Sequence, residues 1–163
     1  MHNPWVWLGF SGVLISLDQG IKYVMVHTLH PGSAVEILPF LSLVLTYNPG
    51  AAFSFLAAES GWQRWFFVAV AMTVSAGLVY LIFRHRRDAV QCLALALILG
   101  GALGNVIDRL LFGAVVDFVL LHWHDWHWPA FNLADSCITV GAALLIWDSF
   151  RRGRVQRAAT GGR

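Results

Sequence analysis

Two carboxylates in the second half of the chain have the type and placement needed for catalysis. Asp117 and Asp135 lie just outside two apolar runs, where a membrane would meet water on one side. A carboxyl group there is costly unless it is paired, hydrogen-bonded or used. If the intervening segment brings the two together, they should share one proton, because both cannot ionise cheaply. That asymmetry makes an acid and a base, which suits water attack on a peptide carbonyl.

Other catalytic chemistries have weaker support. Ser136 has no histidine placed to activate it, and Lys22 belongs to a different element. His122, His124 and His127 have a spacing suggestive of metal binding, but there are no thiolates and no acidic signature nearby. Tryptophans interleave with these histidines, so a loop at the membrane interface is the better interpretation. We therefore expect neither a metal nor a cofactor.

Polar residues accompany both aspartates. Asn132 is a natural N-cap, which places Asp135 at the third helical position, where free amides and the helix dipole favour an anion. Capping alone would explain Asp135, but it does not explain Asp117. The β-branched and apolar residues around Asp117 predict an extended segment that returns to the membrane.

A second polar group follows the glycine-rich segment 100–104. Asn105, Asp108 and Arg109 lie within about one helical turn. Asn105 and Arg109 are four residues apart and can point to the same place, while Asp108 is placed to hold Arg109. An Asp–Arg pair at a helix end is usually a structural anchor, but the asparagine and the glycines favour a site.

The composition indicates what must position these residues. The chain has 163 residues, of which 58% are apolar and 12% charged, and its mean hydropathy is +0.64. These values are typical of a membrane protein, because four such helices without amphipathic faces would leave nothing to cover them in a soluble protein. Four apolar runs approach the roughly 20 residues that cross a bilayer. We predict membrane spans at about 5–26, 65–83, 89–109 and 133–150.

The arginines predict the orientation in the membrane. They cluster at 84–88 and 151–163, which the positive-inside rule makes cytoplasmic together with the N-terminus. The outer segments are then 27–64 and 110–132, whose central parts hold no lysine or arginine. Arginines that flank spans are more simply topology determinants than a nucleic-acid surface, so no nucleic-acid partner is expected.

The first span has an unusual pair, Asp18 and Lys22. At i, i+4 they share one helix face, so an ion pair can offset part of the cost of their depth. We interpret them as a structural pair that locks this helix to its neighbours. A proton relay is the alternative.

In the first outer segment the spacing of apolar residues changes from a continuous apolar run to alternation. Apolar residues recur at every second position between 35 and 45, which predicts a short antiparallel sheet on the outer membrane surface. Asn48 begins a turn signal, and local sequence favours a turn former there. Residues 57–65 predict a brief interfacial helix, with Trp62 and Trp65 near the headgroups.

Several blocks of the sequence together resemble one family, the lipoprotein signal peptidases (signal peptidase II), which are bacterial inner-membrane aspartyl peptidases. Each block alone is only weakly specific for the family. Their order and spacing match those of the family from the first span to the end of the fourth. The blocks are Asp18-Gln19 with Lys22, 48–53 (NPGAAF), 100–105 (GGALGN), 107–109 (IDR), 116–118 (VDF) and 131–136 (FNLADS).

The resemblance implies a mainly α membrane protein in one domain, 1–163, with four transmembrane helices, a small antiparallel β-cradle and a short interfacial helix on the periplasmic face. It implies cleavage of diacylglyceryl-modified prolipoproteins immediately before the lipidated cysteine, in the bacterial inner membrane, with the active site near the periplasmic surface. We expect the protein to be a monomer. By the matching motifs, Asp117 and Asp135 would be the catalytic dyad. Substrate-binding and support positions would be Asn48, Gly104, Asn105, Asp108, Arg109, Asn132, Ala134, Asp18 and Lys22.

The main rival is a small proton-coupled transporter or channel subunit, with Asp18, Asp108 and Asp135 as its relay. It requires a polar path through both leaflets, whereas the polar residues gather towards the outer half of the spans. A structural membrane scaffold is a third possibility, but it predicts no paired acids outside the spans.

Overall fold

The structure is a computed structural model that describes residues 3–50 and 61–160, with side chains as far as Arg152. The described chain is mainly helical and carries a small antiparallel sheet. In chain order its elements are α1 (Pro4–Thr28), β1 (Ala34–Leu38), β2 (Leu41–Asn48), α2 (Trp62–Arg84), α3 (Ala89–Phe112), β3 (Val115–Trp123), β4 (Trp126–His127) and α4 (Leu133–Thr160).

Local signals set the helix ends. The side chain of Asn3 caps α1 by accepting from the Trp5 amide at 3.1 Å, and the Asp88 side chain caps α3 in the same way. Helix α3 runs three residues beyond the predicted end at 109 and stops at Gly113, which has φ 78°. A glycine is suited to this left-handed position because it has no Cβ to clash.

Helix α3 lies at the centre of the bundle and packs against α1, α2 and α4. Its contact with α4 depends on two glycines: a Cβ on Gly101 would collide with the Ala134 carbonyl, and one on Gly141 would lie 2.7 Å from the Ala94 carbonyl oxygen. The close approach carries α4 directly past the polar end of α3. The start of α4, where Asp135 lies, is thereby fixed against the segment that holds Asn105.

The helices expose apolar side chains on their outer faces. Three of them, α2, α3 and the part of α4 up to Arg152, are long and apolar enough to cross a membrane, with mean hydropathy of 2.3, 2.0 and 1.4. Helix α1 is as long but more polar, since it contains Asp18, Gln19 and Lys22. Its outward side chains are nevertheless mainly apolar, as the 67% exposed Trp5 illustrates.

The sheet has the strand order β1-β2-β3-β4, with antiparallel neighbours. This confirms the predicted hairpin of β1 and β2 and the extended segment around Asp117. The pairing of β2 with β3 aligns Thr46 with Asp117 and Asn48 with Val115. The turn that follows Asn48 therefore lies beside the strand that carries Asp117.

The prediction for residues 57–65 is only partly tested, because 57–60 lie outside the described residues. Trp62 and Trp65 belong to the first turns of α2. The expected loop at 122–128 contains a tight hairpin of β3 and β4, in which His124 has φ 53°. Its tryptophans are exposed, Trp123 at 64%.

Candidate active site

The two aspartates face the same cavity. Asp117 lies in β3 and Asp135 in the first turn of α4, and both line a cavity of about 610 Å³ together with Asn48, Asn105 and Arg109. The cavity lies between the sheet and the ends of α3 and α4. The expectation that the segment between the two aspartates folds back and brings them together is confirmed.

Asn132 connects the two aspartates. Its fully buried side-chain amide nitrogen donates to Asp117 Oδ1 at 2.7 Å, and its Oδ1 accepts from the Asp135 amide at 2.8 Å. The second bond is the N-cap predicted for α4. A capping residue with both ends of its amide engaged fixes the start of the helix relative to β3, so Asp117 and Asp135 are held in one geometry.

Two further asparagines donate to the carboxylates. Asn105 Nδ2 lies 2.8 Å from Asp135 Oδ1, and Asn48 Nδ2 lies 3.3 Å from Asp117 Oδ2. Asn48 also accepts from the Gly50 amide at 3.1 Å. It is therefore both a turn former, as local sequence suggested, and a contact of the candidate dyad.

Burial and charge raise the pKa of Asp117. Its side chain is 2% exposed, and loss of hydration together with the neighbouring charge of Asp135 raises its pKa from 3.8 to about 7. The hydrogen bonds from Asn48 and Asn132 act in the opposite direction, because they favour the ionised form. A carboxyl with this pKa can hold and release a proton near neutral pH.

Arg109 lines the cavity but is not held by Asp108. Its guanidinium donates to the carbonyls of Gly50 at 2.9 Å and Asn105 at 3.3 Å, and it lies over the Phe67 ring at 5.1 Å. The expected Asp108–Arg109 pair is wrong, because neighbouring residues on a helix point about 100° apart. Sequence adjacency was misleading at this position.

Asp108 belongs instead to a buried ionic group with Asp18 and Lys22. Lys22 Nζ lies 2.7 Å from a carboxylate oxygen of each aspartate, which confirms the predicted Asp18–Lys22 pair and adds a second partner. Gln19 Nε2 donates to Asp108 Oδ1 at 2.8 Å. The i, i+4 spacing could reveal only the first pair, because the second joins two helices distant in sequence.

The two small residues among the predicted support positions lie against Asp18. Ala134 donates its backbone N–H to Asp18 Oδ1 at 3.0 Å. A Cβ on Gly104 would come within 2.7 Å of Asp18 Oδ2. The predicted site residues thus line the cavity, belong to the ionic group or contact a member of these two sets, as Asn132, Gly104 and Ala134 do.

Sequence reasoning missed the remaining, mainly apolar part of the cavity wall. Helical spacing from Asp135 could have indicated the α4 members, whereas the members from 128–131 carried no signal for a cavity. The missed lining residues are Gly50, Val115, Leu121, Trp128, Pro129, Ala130, Phe131, Ser136, Ile138, Thr139 and Val140.

The histidines of segment 122–128 have local contacts. His122 stacks on His127 with ring centroids 6.0 Å apart, and its Nε2 is 2.9 Å from the Ser42 hydroxyl. Within residues 3–50 and 61–152, no group of three or more His, Cys, Asp or Glu side chains is arranged to hold a metal ion.

Comparisons with known proteins agree on one family. The family model for signal peptidase (SPase) II matches residues 10–151. The lipoprotein signal peptidase of Paraburkholderia phymatum is 54% identical over 93% of this chain and 91% of its own length. That of Polynucleobacter necessarius is 49% identical over 90% of both chains.

Solved structures share the fold. A bacterial membrane enzyme structure at 2.3 Å resolution has a TM-score of 0.80 and 30% identity, covering 97% of this chain and 92% of its own. A second such structure, at 1.9 Å, has a TM-score of 0.78 and 32% identity over 88% of this chain and 91% of its own. Family, relatives and fold support a protease in a bacterial membrane, and the aspartic type fits the family. The chain belongs to the signal peptidase II family.

Proposed function

We propose that the protein is an aspartyl endopeptidase with Asp117 and Asp135 as its catalytic dyad. Its substrate is a diacylglyceryl-modified prolipoprotein, which it cleaves immediately before the lipidated cysteine to release the signal peptide. The observation that carries the proposal is the pair of carboxyls on one cavity, joined through Asn132, with a pKa of about 7 at Asp117.

The dyad uses the difference between a protonated and an ionised carboxyl. The ionised group takes a proton from water as the water oxygen bonds to the peptide carbonyl carbon. The protonated group first donates a hydrogen bond to the carbonyl oxygen and then gives its proton to the leaving nitrogen as the C–N bond breaks. The raised pKa of Asp117, about 7, allows this carboxyl to carry the shared proton near neutral pH. This cycle uses no metal and no covalent nucleophile.

Polar residues in and next to the cavity wall hold the reactants. Asn48 and Asn105 line the cavity and Asn132 is fully buried, and all three orient the dyad through their amides. Arg109 also lies in the cavity wall. The apolar part of the wall, including Phe131 and Val140, suits the hydrophobic segment of the substrate. A lipid-bearing substrate can thus reach the dyad within the bilayer while its acyl chains stay in lipid.

Helix α1 is a fourth transmembrane span in this proposal. Its ionic residues Asp18 and Lys22 are 2% exposed and face the bundle, whereas Val13, Leu17 and Tyr23 face outward. Charged side chains inside a membrane are found facing the bundle interior and paired in this way. The arginine distribution supports a topology with both termini in the cytoplasm and the cavity near the periplasmic surface of the inner membrane.

The test is a gel-shift cleavage assay on the purified protein in detergent with a metal chelator present. Prolipoprotein is supplied with and without its diacylglyceryl group. We expect cleavage of the lipidated form only, and at least about a 10²-fold loss of rate in Asp117→Asn and Asp135→Asn. Both changes are nearly isosteric, so thermal unfolding should show folded protein.

Asp148→Asn is the matched control, because Asp148 is a buried carboxylate on the same helix as Asp135 but at the opposite end of the bundle. It should keep the wild-type rate. A folded Asn variant at position 117 or 135 that cleaves normally would remove that residue from the dyad. Absence of cleavage by folded wild-type protein would overturn the proposal and favour proton transport, which liposome flux would measure.

A further inference from the structure

The buried ionic group of Asp18, Lys22 and Asp108 is not part of the cavity wall. The side chains are at most 3% exposed, and Lys22 Nζ lies 2.7 Å from both carboxylates. Burying three charges costs several kcal/mol per ion unless the geometry is good, and it often adds nothing to stability over an apolar replacement. Stability alone does not account for three buried charges next to the candidate dyad, which indicates a role of this group in catalysis.

Each carboxylate of this group also binds one backbone amide, and the two amides have corresponding positions. Asp18 Oδ1 accepts from the N–H of Ala134, at 3.0 Å, and Ala134 immediately precedes Asp135. Asp108 Oδ2 accepts from the N–H of Val116, at 3.0 Å, and Val116 immediately precedes Asp117. The backbone before each member of the dyad is therefore tied to one of the two carboxylates.

We propose that Asp18, Lys22 and Asp108 are positioning residues that set the separation and orientation of Asp117 and Asp135. Lys22 joins the two carboxylates, and each carboxylate holds the backbone N–H before one dyad member. The group acts as a brace across α1, α3, β3 and α4. This inference rests on the proposed function, because it assumes that the two aspartates react together.

Two further contacts extend the brace. Gln19 Nε2 donates to Asp108 Oδ1 at 2.8 Å and lies 3.3 Å from Asp18 Oδ2, so it spans the two carboxylates a second time. Lys22 Nζ also lies 3.2 Å from Asn105 Oδ1. An ammonium group can only donate, so this contact fixes the amide orientation and leaves the Nδ2 of Asn105 for Asp135.

The brace is tested by separating kcat from KM. The variants Asp18→Asn and Asp108→Asn are assayed on lipidated prolipoprotein, with Asp148→Asn as the control that loses a buried carboxylate far from the site. We expect kcat to fall about 10²-fold in both brace variants, the loss typical of reacting groups displaced by about 1 Å. KM should change less than about twofold, because the brace does not line the cavity.

The pH profile is the second readout. The charged groups that face Asp117 are Asp135 on α4, Lys22 on α1 and Arg109 on α3. If the two carboxyls of the dyad move apart, their mutual repulsion weakens, and the alkaline limb of the kcat profile moves to lower pH. Loss of a residue with only a structural role would lower the melting temperature without moving this limb, and we expect Asp148→Asn to leave the limb in place.

A milder variant keeps the test decisive if the Asn variants do not fold. Gln19→Met leaves all three charges paired and removes the contacts of the Gln19 amide with Asp18, Asp108 and the Gly104 carbonyl. It should lower kcat by about two- to tenfold, the size of a typical net hydrogen-bond contribution. Folded brace variants with wild-type kcat and pH profile would overturn the inference while the proposed function stands. Inactive wild-type protein, or active dyad variants, would instead overturn the proposed function.

Discussion

Two ionic groups among the described residues each hold a cation between two aspartates, but their surroundings differ. Near the site, Lys22 lies between Asp18 and Asp108, all at most 3% exposed. At the other end of α3, Arg152 pairs with Asp88 and Asp148, and its side chain is 47% exposed. The two groups are about 30 Å apart, from the rise of 1.5 Å per residue between Asp88 and Asp108.

The two groups differ in how rigidly they can hold the segments that they join. The exposed group around Arg152 joins the start of α3 to α4 through a long side chain in partial contact with solvent, and such pairs contribute little to stability. The buried group around Lys22 has no such freedom, since its charges are shielded from solvent and can interact only with each other and with protein groups. The buried group therefore determines one geometry, and it lies where two backbone segments carrying aspartates meet.

Lys22→Met should have the largest effect on stability. It removes the cation and leaves Asp18 and Asp108 buried with like charges, and breaking a buried pair in this way costs about 3–5 kcal/mol. Thermal unfolding in detergent, followed by circular dichroism, measures the loss. A melting temperature close to that of the wild type would show that the group is solvated, and the contrast between the two groups would fail.

Gly104→Ala should have the next largest effect. The new Cβ would lie 2.7 Å from Asp18 Oδ2, so the carboxylate must move within a packed interior. Overpacking of this kind costs about 1–3 kcal/mol. The matched control is Gly77→Ala on α2, where nothing lies within 4 Å of the added carbon; it should be neutral or stabilise the helix by up to about 1 kcal/mol. Equal behaviour of the two alanine variants in thermal unfolding would contradict the role given to Gly104.

The pH dependence of stability should come from the site end of the bundle. Asp117 has a pKa raised from 3.8 to about 7 in the folded protein, so between these values the folded state binds more protons than the unfolded state. Its contribution to stability is therefore complete below pH 4 and is lost as the pH rises to 7, at no more than about 1.4 kcal/mol per pH unit. Denaturation in urea across this range should show the slope in wild-type protein and a smaller slope in Asp117→Asn. The alkaline limb of activity should begin near pH 7 for the same reason.

The same contrast shows what the sequence could predict. Apolar length indicated the helices, and alternation indicated β1 and β2, because these signals are local. The strand position of Asp117, the first-turn position of Asp135 and the Asn132 cap were also predictable. A carboxyl group at the edge of an apolar run is costly unless it is paired or hydrogen-bonded, and asparagine is a preferred N-cap residue. The Lys22–Asp108 pair was not predictable, because it depends on the packing of α1 against α3. The Asp108–Arg109 pair was predicted wrongly, because adjacency in sequence is not evidence of contact.

Arg152→Met should have the smallest effect and completes the comparison with Lys22→Met. Both changes remove a cation between two aspartates, but Asp148 keeps Arg151 as a partner at 3.2 Å, and Asp88 is 25% exposed, so water can replace the lost charge. The cost should be about 0–1 kcal/mol, and the difference between wild type and variant should shrink in 1 M salt, where exposed charges are screened within about 3 Å. The effect of Lys22→Met should persist in the same salt. A large, salt-insensitive loss in Arg152→Met would mean that this end is also rigidly braced, and the special role of the group at the site would no longer follow from its burial.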